Sequence, residues 1–113
     1  MLPQGVIYKV KIKKMSKTNF QKLIDSEKPV LIDFYADWCG PCKAFSPVLN
    51  QLKNQIGDGV RIVKIDVDKN PTIAGQLQVR SIPTVMIFQK GELKWRAQGG
   101  QSLETMKQQL AEL

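Results

Sequence analysis

Hydrophobic positions along this chain follow two periods, one typical of strands and one typical of helices. Polar and apolar residues alternate at the start of the chain, and later apolar runs are continuous, as in strands buried on both faces of a sheet. The dipeptide Lys90-Gly91 predicts a hairpin turn between the last two strands. Five strands are predicted, over residues 6–13, 30–36, 60–67, 84–88 and 93–97.

Between these runs, apolar residues recur every three or four positions, which predicts helices. The predicted helices cover residues 17–25, 40–56, 71–78 and 103–113. Ser16 and Ser102 precede the first and last helix and are suited to cap them. Pro47 lies inside the second helix and has no N–H to donate, so we expect a kink there.

The order of elements is β-α-β-α-β-α-β-β-α. Strands joined through helices imply parallel pairing, and the tight hairpin implies one antiparallel pair. We therefore predict an α/β protein with a mixed central sheet of five strands flanked by helices on both faces. At this length we expect a single domain over residues 1–113, with a basic N-terminal strand at about 5–14.

The net charge is +7, and residues 1–28 contribute +5 of it through seven lysines and two acidic residues. Lysines that alternate with apolar residues give a strand one charged face, and such edges resist aggregation. No aromatic residue lies between the alternating lysines Lys9, Lys11 and Lys13 as a stacking platform, so we expect no nucleic-acid partner. The chain has no apolar run of membrane-spanning length and no N-terminal signal pattern, which predicts a cytoplasmic protein without a membrane partner.

The two cysteines of the chain lie three positions apart in Trp38-Cys39-Gly40-Pro41-Cys42-Lys43. The pair follows a predicted buried strand and opens a predicted helix, which is the setting of a dithiol–disulfide redox site. Cys39 stands at the helix start, where free N–H groups and the helix dipole favour its thiolate, so Cys39 is the candidate nucleophile. Cys42 lies one turn further in, and burial would raise the pKa of its thiol.

Other uses of a cysteine pair compete with this interpretation. A zinc site commonly takes four Cys or His ligands, and this chain has no histidine and no third cysteine, so we predict no metal. Haem attachment requires histidine where Lys43 stands. A purely structural disulfide remains an alternative, although so small a loop restrains the unfolded chain little.

Two charged residues interrupt the predicted central strands. Asp33 lies inside the apolar run of the second strand, and burial there would raise the pKa of its carboxyl. A carboxyl with a raised pKa can take the Cys42 proton through a water molecule, and it is a candidate base because the chain has no histidine. Lys64 interrupts the third strand in the same way. The alternatives are a solvated strand end for Asp33 and an ordinary exposed strand position for Lys64.

The segment from Asp33 to Lys43 resembles the active-site segment of the thioredoxin family. Ser81-Ile82-Pro83-Thr84 resembles the cis-proline loop of that family, and Gly91 and Gly99 fall where the family places glycines. The resemblance covers residues 15–113 in the family's order. It implies a thioredoxin-like fold. One departure is Tyr35, which stands where many members have a second tryptophan, and another is the lysine-rich N-terminal segment.

The resemblance also implies roles for individual residues. Cys39 would attack, Cys42 would resolve, and Asp33 with its partner Lys64 would assist. The implied supporting residues are Gly40, Pro41 and Pro83, the last in a cis bond. The implied substrate-binding residues are Trp38, Ile82 and Gly99.

The function implied is that of a dithiol–disulfide oxidoreductase that reduces protein disulfides through a mixed disulfide. No cofactor is bound beyond the redox-active Cys39–Cys42 disulfide, and electrons would come from an NADPH-dependent thioredoxin reductase. The implied partners are that reductase and disulfide-containing proteins, and we expect a monomer. An interaction module that does not use its thiols, and a disulfide donor or isomerase, remain alternatives.

Overall fold

In the computed structural model, the described residues are 10–12, as backbone, and 15–113. The elements follow the predicted order: β1 Val10–Ile12, α1 Lys17–Ile24, β2 Val30–Tyr35, α2 Gly40–Ile56, β3 Arg61–Asp66, α3 Pro71–Gln76, β4 Thr84–Gln89, β5 Glu92–Gln98 and α4 Leu103–Ala111. A short 3₁₀ turn, Gly57–Gly59, separates α2 from β3. The remainder of the predicted strand over 6–13 lies outside the described residues.

The five strands form one mixed sheet in the order β1-β3-β2-β4-β5. β3 is parallel to both β1 and β2, and β4 is antiparallel to both β2 and β5. The predicted mixed sheet of five strands is therefore confirmed. β2 and β3 are central, so residues on them are covered from both sides.

The prediction of a single antiparallel pair was wrong, because β2 and β4 also pair antiparallel. The six residues of α3 span only about 9 Å at about 1.5 Å per residue, whereas a strand of similar length spans about twice that. α3 alone is therefore too short to return the chain to the start of the sheet, and the seven residues between α3 and β4 do not return it there either. Thr84 pairs with Phe34, close to the end of β2, so β4 runs back from the edge where β3 ended.

Helices cover both faces of the sheet, as predicted. On one face, α2 and α4 pack over strand residues that include Leu31, Ile62 and Val85. On the other face, α1 and α3 pack over strand residues that include Ile32, Ile65 and Met86. Odd-numbered residues of β2 thus face α2, and this alternation points the side chain of Asp33 to the side of the sheet that carries the cysteines.

Local signals account for most element boundaries. The hydroxyl oxygens of Ser16 and Ser102 accept hydrogen bonds of 3.1 Å from the N–H groups of Asn19 and Thr105, so both predicted caps are confirmed. The hairpin turn has positive φ at Lys90 (53°) and Gly91 (81°), as a two-residue turn of this hand requires. α2 continues through Pro47, and the kink stays a prediction. No helix in the described part of the chain is long and apolar enough to cross a membrane.

Candidate active site

The cysteine pair lies where β2 ends and α2 begins. Cys39 is the N-cap of α2, and its Sγ accepts a hydrogen bond of 3.1 Å from the N–H of Cys42. Gly40 opens the helix and Pro41 occupies its first turn, where an N–H would have no helical partner. The two sulfurs form a disulfide, with Cα atoms 5.3 Å apart. The predicted placement of Cys39 at the helix start and of Cys42 in a buried position is confirmed.

The loop before β4 lies next to Cys39, because β4 is the direct neighbour of β2 in the sheet. Its Ile82–Pro83 peptide bond is cis, as the resemblance implied. The Sγ of Cys39 lies 3.9 Å from the carbonyl oxygen of Ile82. Gly99, with φ of 83°, donates its N–H to the carbonyl oxygen of Pro83 at 2.7 Å. Three residues proposed from sequence for binding or support are therefore brought together beside the disulfide.

Trp38 presents a large apolar surface next to the pair, with 71% of its side chain exposed. Its indole Nε1–H donates to Oδ2 of Asp68 at 2.9 Å, which holds the ring in place. Asp66 is buried, and its Oδ1 accepts from the N–H groups of Asp68 (2.8 Å) and Lys69 (3.3 Å). Asp66 therefore caps the turn that follows β3. The contact between Trp38 and Asp68 was not predicted from the sequence.

Asp33 and Lys64 lie opposite each other on β2 and β3, and Lys64 lines a cleft together with Cys42. Asp33 is 0% exposed and Lys64 is 8% exposed. The predicted burial of both is confirmed, and the alternatives of a solvated strand end and an exposed strand lysine were wrong. The part that each takes in proton transfer stays a prediction.

Lys64 reaches from β3 towards the start of α2. Its Nζ donates to Oγ of Ser46 at 3.1 Å and lies 4.6 Å from the centroid of the Tyr35 ring. An ammonium over an aromatic face is attracted by the negative face of the ring. Ser46 lies four residues after Cys42, on the same side of the helix. That spacing was a signal that sequence reasoning missed.

Tyr35 packs with Ala36, Cys39 and Cys42 at the end of β2. Burial raises the pKa of its phenol, and the carboxylates of Asp66, Asp37 and Asp33 raise the pKa further. The phenol therefore keeps its proton at neutral pH. It offers Lys64 a neutral aromatic face.

A cleft of about 170 Å³ opens beside Cys42. It is lined by Tyr35, Ala36, Asp37, Cys42, Lys43 and Lys64. An opening of this size admits a few water molecules, and water can carry a proton to or from a buried thiol. In residues 10–12 and 15–113, no three His, Cys, Asp or Glu residues group to hold a metal ion.

Several known proteins are similar to this chain along most of its length. The thioredoxin family model matches residues 11–112. A thioredoxin-like protein of Synechocystis sp. is 42% identical over 99 residues, which cover 88% of this chain and 94% of that protein. Thioredoxin Y, a chloroplastic protein of Oryza sativa subsp. japonica, is 39% identical over 108 residues, which cover 95% of this chain and 64% of the rice protein.

A solved structure agrees with these sequence similarities. The structure of a mutant thioredoxin from Halobacterium salinarum superposes with a TM-score of 0.80 at 31% identity, over 99% of this chain and 94% of that chain.

Proposed function

This chain belongs to the thioredoxin family and is a dithiol–disulfide oxidoreductase, and we propose that it reduces disulfide bonds in other proteins. The observation that carries the proposal is the position of Cys39. It caps α2, accepts the N–H of Cys42, and lies 3.9 Å from the Ile82 carbonyl of a neighbouring loop. A sulfur in that position has both a means of activation and a surface that can hold a substrate chain.

Cys39 attacks first in this scheme. The N–H of Cys42 and the positive end of the α2 dipole both stabilise negative charge on Sγ of Cys39. The thiolate attacks one sulfur of the substrate disulfide, a Cys39–substrate bond forms, and the other substrate sulfur leaves as a thiolate that takes up a proton.

Cys42 completes the reduction. It loses its proton, and its thiolate attacks Cys39, so that the Cys39–Cys42 disulfide forms and the second substrate thiolate leaves. Asp33 is the group that we propose as the base, because it is fully buried on the face of β2 that carries the cysteines. The nearby cleft supplies the water through which the proton moves.

The substrate binds, in this proposal, against Trp38, Ile82 and Gly99. Trp38 is exposed and held by Asp68, while Gly99 is tied to Pro83 by a hydrogen bond. Contacts to the backbone around Ile82 would accept many peptide sequences, since backbone pairing does not depend on side chains.

The oxidised pair must be reduced before another cycle. We propose that electrons come from an NADPH-dependent thioredoxin reductase, and that the protein acts as a monomer in the cytoplasm. Both cysteines belong to the redox pair, so none is left for a structural disulfide, which suits a reducing compartment.

Trapping of the mixed disulfide tests this division of roles. Cys42→Ser leaves the attacking thiol in place and removes the resolving thiol, so we expect a stable covalent complex with insulin, detected by mass spectrometry as a link to Cys39. Turnover should fall by about 10³-fold or more.

Cys39→Ser is the matched control, and it should form no complex. If Cys42→Ser released reduced insulin at the wild-type rate, the two-step scheme would be wrong. If the double variant Cys39→Ser/Cys42→Ser kept full biological activity, the protein would act as an interaction module that does not use its thiols, and the proposal would be wrong.

A further inference from the structure

The hydroxyl of Ser46 joins the backbone of Cys42 to the ammonium of Lys64. Its O–H donates to the carbonyl oxygen of Cys42 at 3.4 Å, and its Oγ accepts from Nζ of Lys64 at 3.1 Å. A serine hydroxyl has one hydrogen to donate and lone pairs to accept, so both bonds form at the same time. A helical serine is also placed to bond the carbonyl four residues earlier. Ser46 thus links the resolving cysteine on α2 to β3.

Tyr35 holds the same ammonium from a second side. Nζ of Lys64 lies 4.6 Å from the centroid of the Tyr35 ring. A lysine side chain has four flexible methylene groups, and an unanchored ammonium would sample many positions. Contact with both the hydroxyl and the ring restricts Nζ to the space between β2, β3 and the first turns of α2.

This space is the cleft beside Cys42, since Cys42, Tyr35 and Lys64 all line it. Nearby charged and titratable groups come from every element that packs there: Cys39 and Lys43 from α2, Asp33 and Tyr35 from β2, Asp37 from the loop after β2, and Lys64 and Asp66 from β3. The acidic groups disfavour a thiolate at Cys42, so the position of a nearby cation matters for the ease with which that thiolate forms.

We propose that Ser46 is a positioning residue for the resolving step. By anchoring Lys64, it holds a positive charge in the cleft, and this charge stabilises the thiolate of Cys42 as it forms. The inference rests on the proposed function, because it requires Cys42 to be the resolving thiol. Ser46 itself touches neither sulfur in the reaction and acts through Lys64.

The step that Ser46 assists is balanced in atoms and electrons. The thiol of Cys42 gives its proton to the base and its sulfur electron pair to Sγ of Cys39. The Cys39–Cys42 bond forms, the bond between Cys39 and the substrate breaks, and the substrate sulfur leaves with that electron pair and is protonated. The two protein thiols are oxidised and the substrate disulfide is reduced.

Rapid mixing of the reduced protein with dithiobis(nitrobenzoate) separates the two attacks. Attack by Cys39 releases one coloured thiolate, and attack by Cys42 releases the second. In Ser46→Ala we expect the rate of the first release to be unchanged. The rate of the second release rises with pH, and we expect the midpoint of that rise to move up by about half a pH unit. Below the midpoint, the second release should then be about threefold slower than in the wild type. Alanine favours helix more than serine does, so α2 should remain folded.

Three further variants test whether Ser46 acts by position. Ser46→Thr keeps a hydroxyl and should restore the wild-type midpoint. Asn50→Ala removes an exposed polar side chain from the next turn of α2, and it should leave the pH midpoint of the second release unchanged. In a Lys64→Met background, Ser46→Ala should cause no further shift, because the ammonium that it anchors is absent.

The possible results distinguish this inference from the proposed function. An unshifted midpoint in Ser46→Ala, or an equal shift with and without Lys64, would overturn the positioning role while leaving the resolving role of Cys42 intact. Absence of a second release from the wild-type protein would instead contradict the proposed function.

Discussion

Two buried lysines connect α2 to the β3 side of the sheet, one at each end of the helix. Lys64 reaches from β3 to the hydroxyl of Ser46 near the start of α2. Lys53 reaches from the last turns of α2 to the backbone carbonyl of Val60, directly before β3, at 2.7 Å. Lys53 is 2% exposed and Lys64 is 8% exposed. Both side chains are therefore almost fully removed from solvent, and each forms a hydrogen bond that links α2 to the β3 side.

The surroundings of the two ammonium groups differ. Lys64 faces the Tyr35 ring and shares a cleft with Cys42. Lys53 lines a larger cavity, of about 400 Å³, at the other end of the sheet. That cavity is lined by Lys28, Lys53, Asp58, Val60, Arg61, Ile62 and Val63, and contains no sulfur.

The electrostatics at Lys53 are those of a structural buried cation. Burial lowers the pKa of its ammonium above all, Lys28 lowers the pKa further, and Asp58 raises it. Neither a buried lysine nor a large cavity therefore marks the active site of this protein. Whether a buried lysine has a structural or a reactive role depends on the groups beside it. Here the smaller cleft, beside Lys64, is the one that contains Cys42.

We expect the largest effect on the resolving step from a change of Asp33, which lies opposite Lys64 in the sheet. Asp33→Asn keeps the shape of the side chain and removes a group that can take a proton. The second release of coloured thiolate should slow by about a hundredfold near neutral pH, a typical contribution of a general base. Rapid-mixing absorbance over a range of pH measures this.

Asp58→Asn is the matched change at the opposite end, where the carboxylate is exposed. It should leave the second release unchanged. Equal slowing in Asp33→Asn and Asp58→Asn would mean that net charge, and not the position of Asp33, controls the step.

Replacing each of the two lysines should have a smaller effect on the second release, and the effect should differ between Lys64 and Lys53. Lys64→Met removes the cation beside Cys42, and we expect the pH midpoint of the second release to rise by about one unit, or about tenfold in rate below the midpoint. Lys53→Met should leave that midpoint where it is, because no cysteine lies near it. Thermal unfolding of both variants checks that each is folded. A comparable shift of the midpoint in Lys53→Met would contradict the claim that only the lysine beside Cys42 affects the second release.

The smallest effect concerns the pH dependence of stability at Lys53. Because burial lowers the pKa of this ammonium in the folded state, the unfolded chain holds more protons between that lowered pKa and the usual lysine value of about 10.4. The unfolding free energy of the wild type relative to Lys53→Met should therefore rise with pH in that window and become constant above it.

Urea unfolding of the wild type and of Lys53→Met at matched alkaline pH values measures this difference. Tyr35 also titrates in alkaline solution, but it is present in both proteins and its contribution cancels. A difference that stays constant with pH would show that Lys53 titrates alike in both states, and a falling one would reverse the sign of the effect.

Most of the fold and the chemical core of the site could be predicted from the sequence. The caps at Ser16 and Ser102, the Lys90-Gly91 turn and the apolar runs act over a few residues, so they can be recognised without the rest of the molecule. The cysteine spacing, together with its place between a strand and a helix, likewise identified the redox pair.

The contacts that complete the site were harder to predict, because they join distant parts of the chain. Trp38 and Asp68 are 30 residues apart, and Ser46 and Lys64 are 18 apart. The antiparallel direction of β4 was also missed, because it depends on where the segment between β3 and β4 brings the chain back to the sheet and not on any residue within the strand.

The order of amino acids along the chain was enough to identify most strand and helix residues, the dithiol pair at a helix start, and the interruption of apolar strands by Asp33 and Lys64. These properties follow from local periodicity, capping and burial. The three-dimensional fold was needed to show that the Ile82 carbonyl lies beside Cys39, and that Lys64 shares a cleft with Cys42 while Lys53 donates to a backbone carbonyl. Such pairings depend on strand register and helix packing over the whole domain, because they bring together groups that no short stretch of sequence contains.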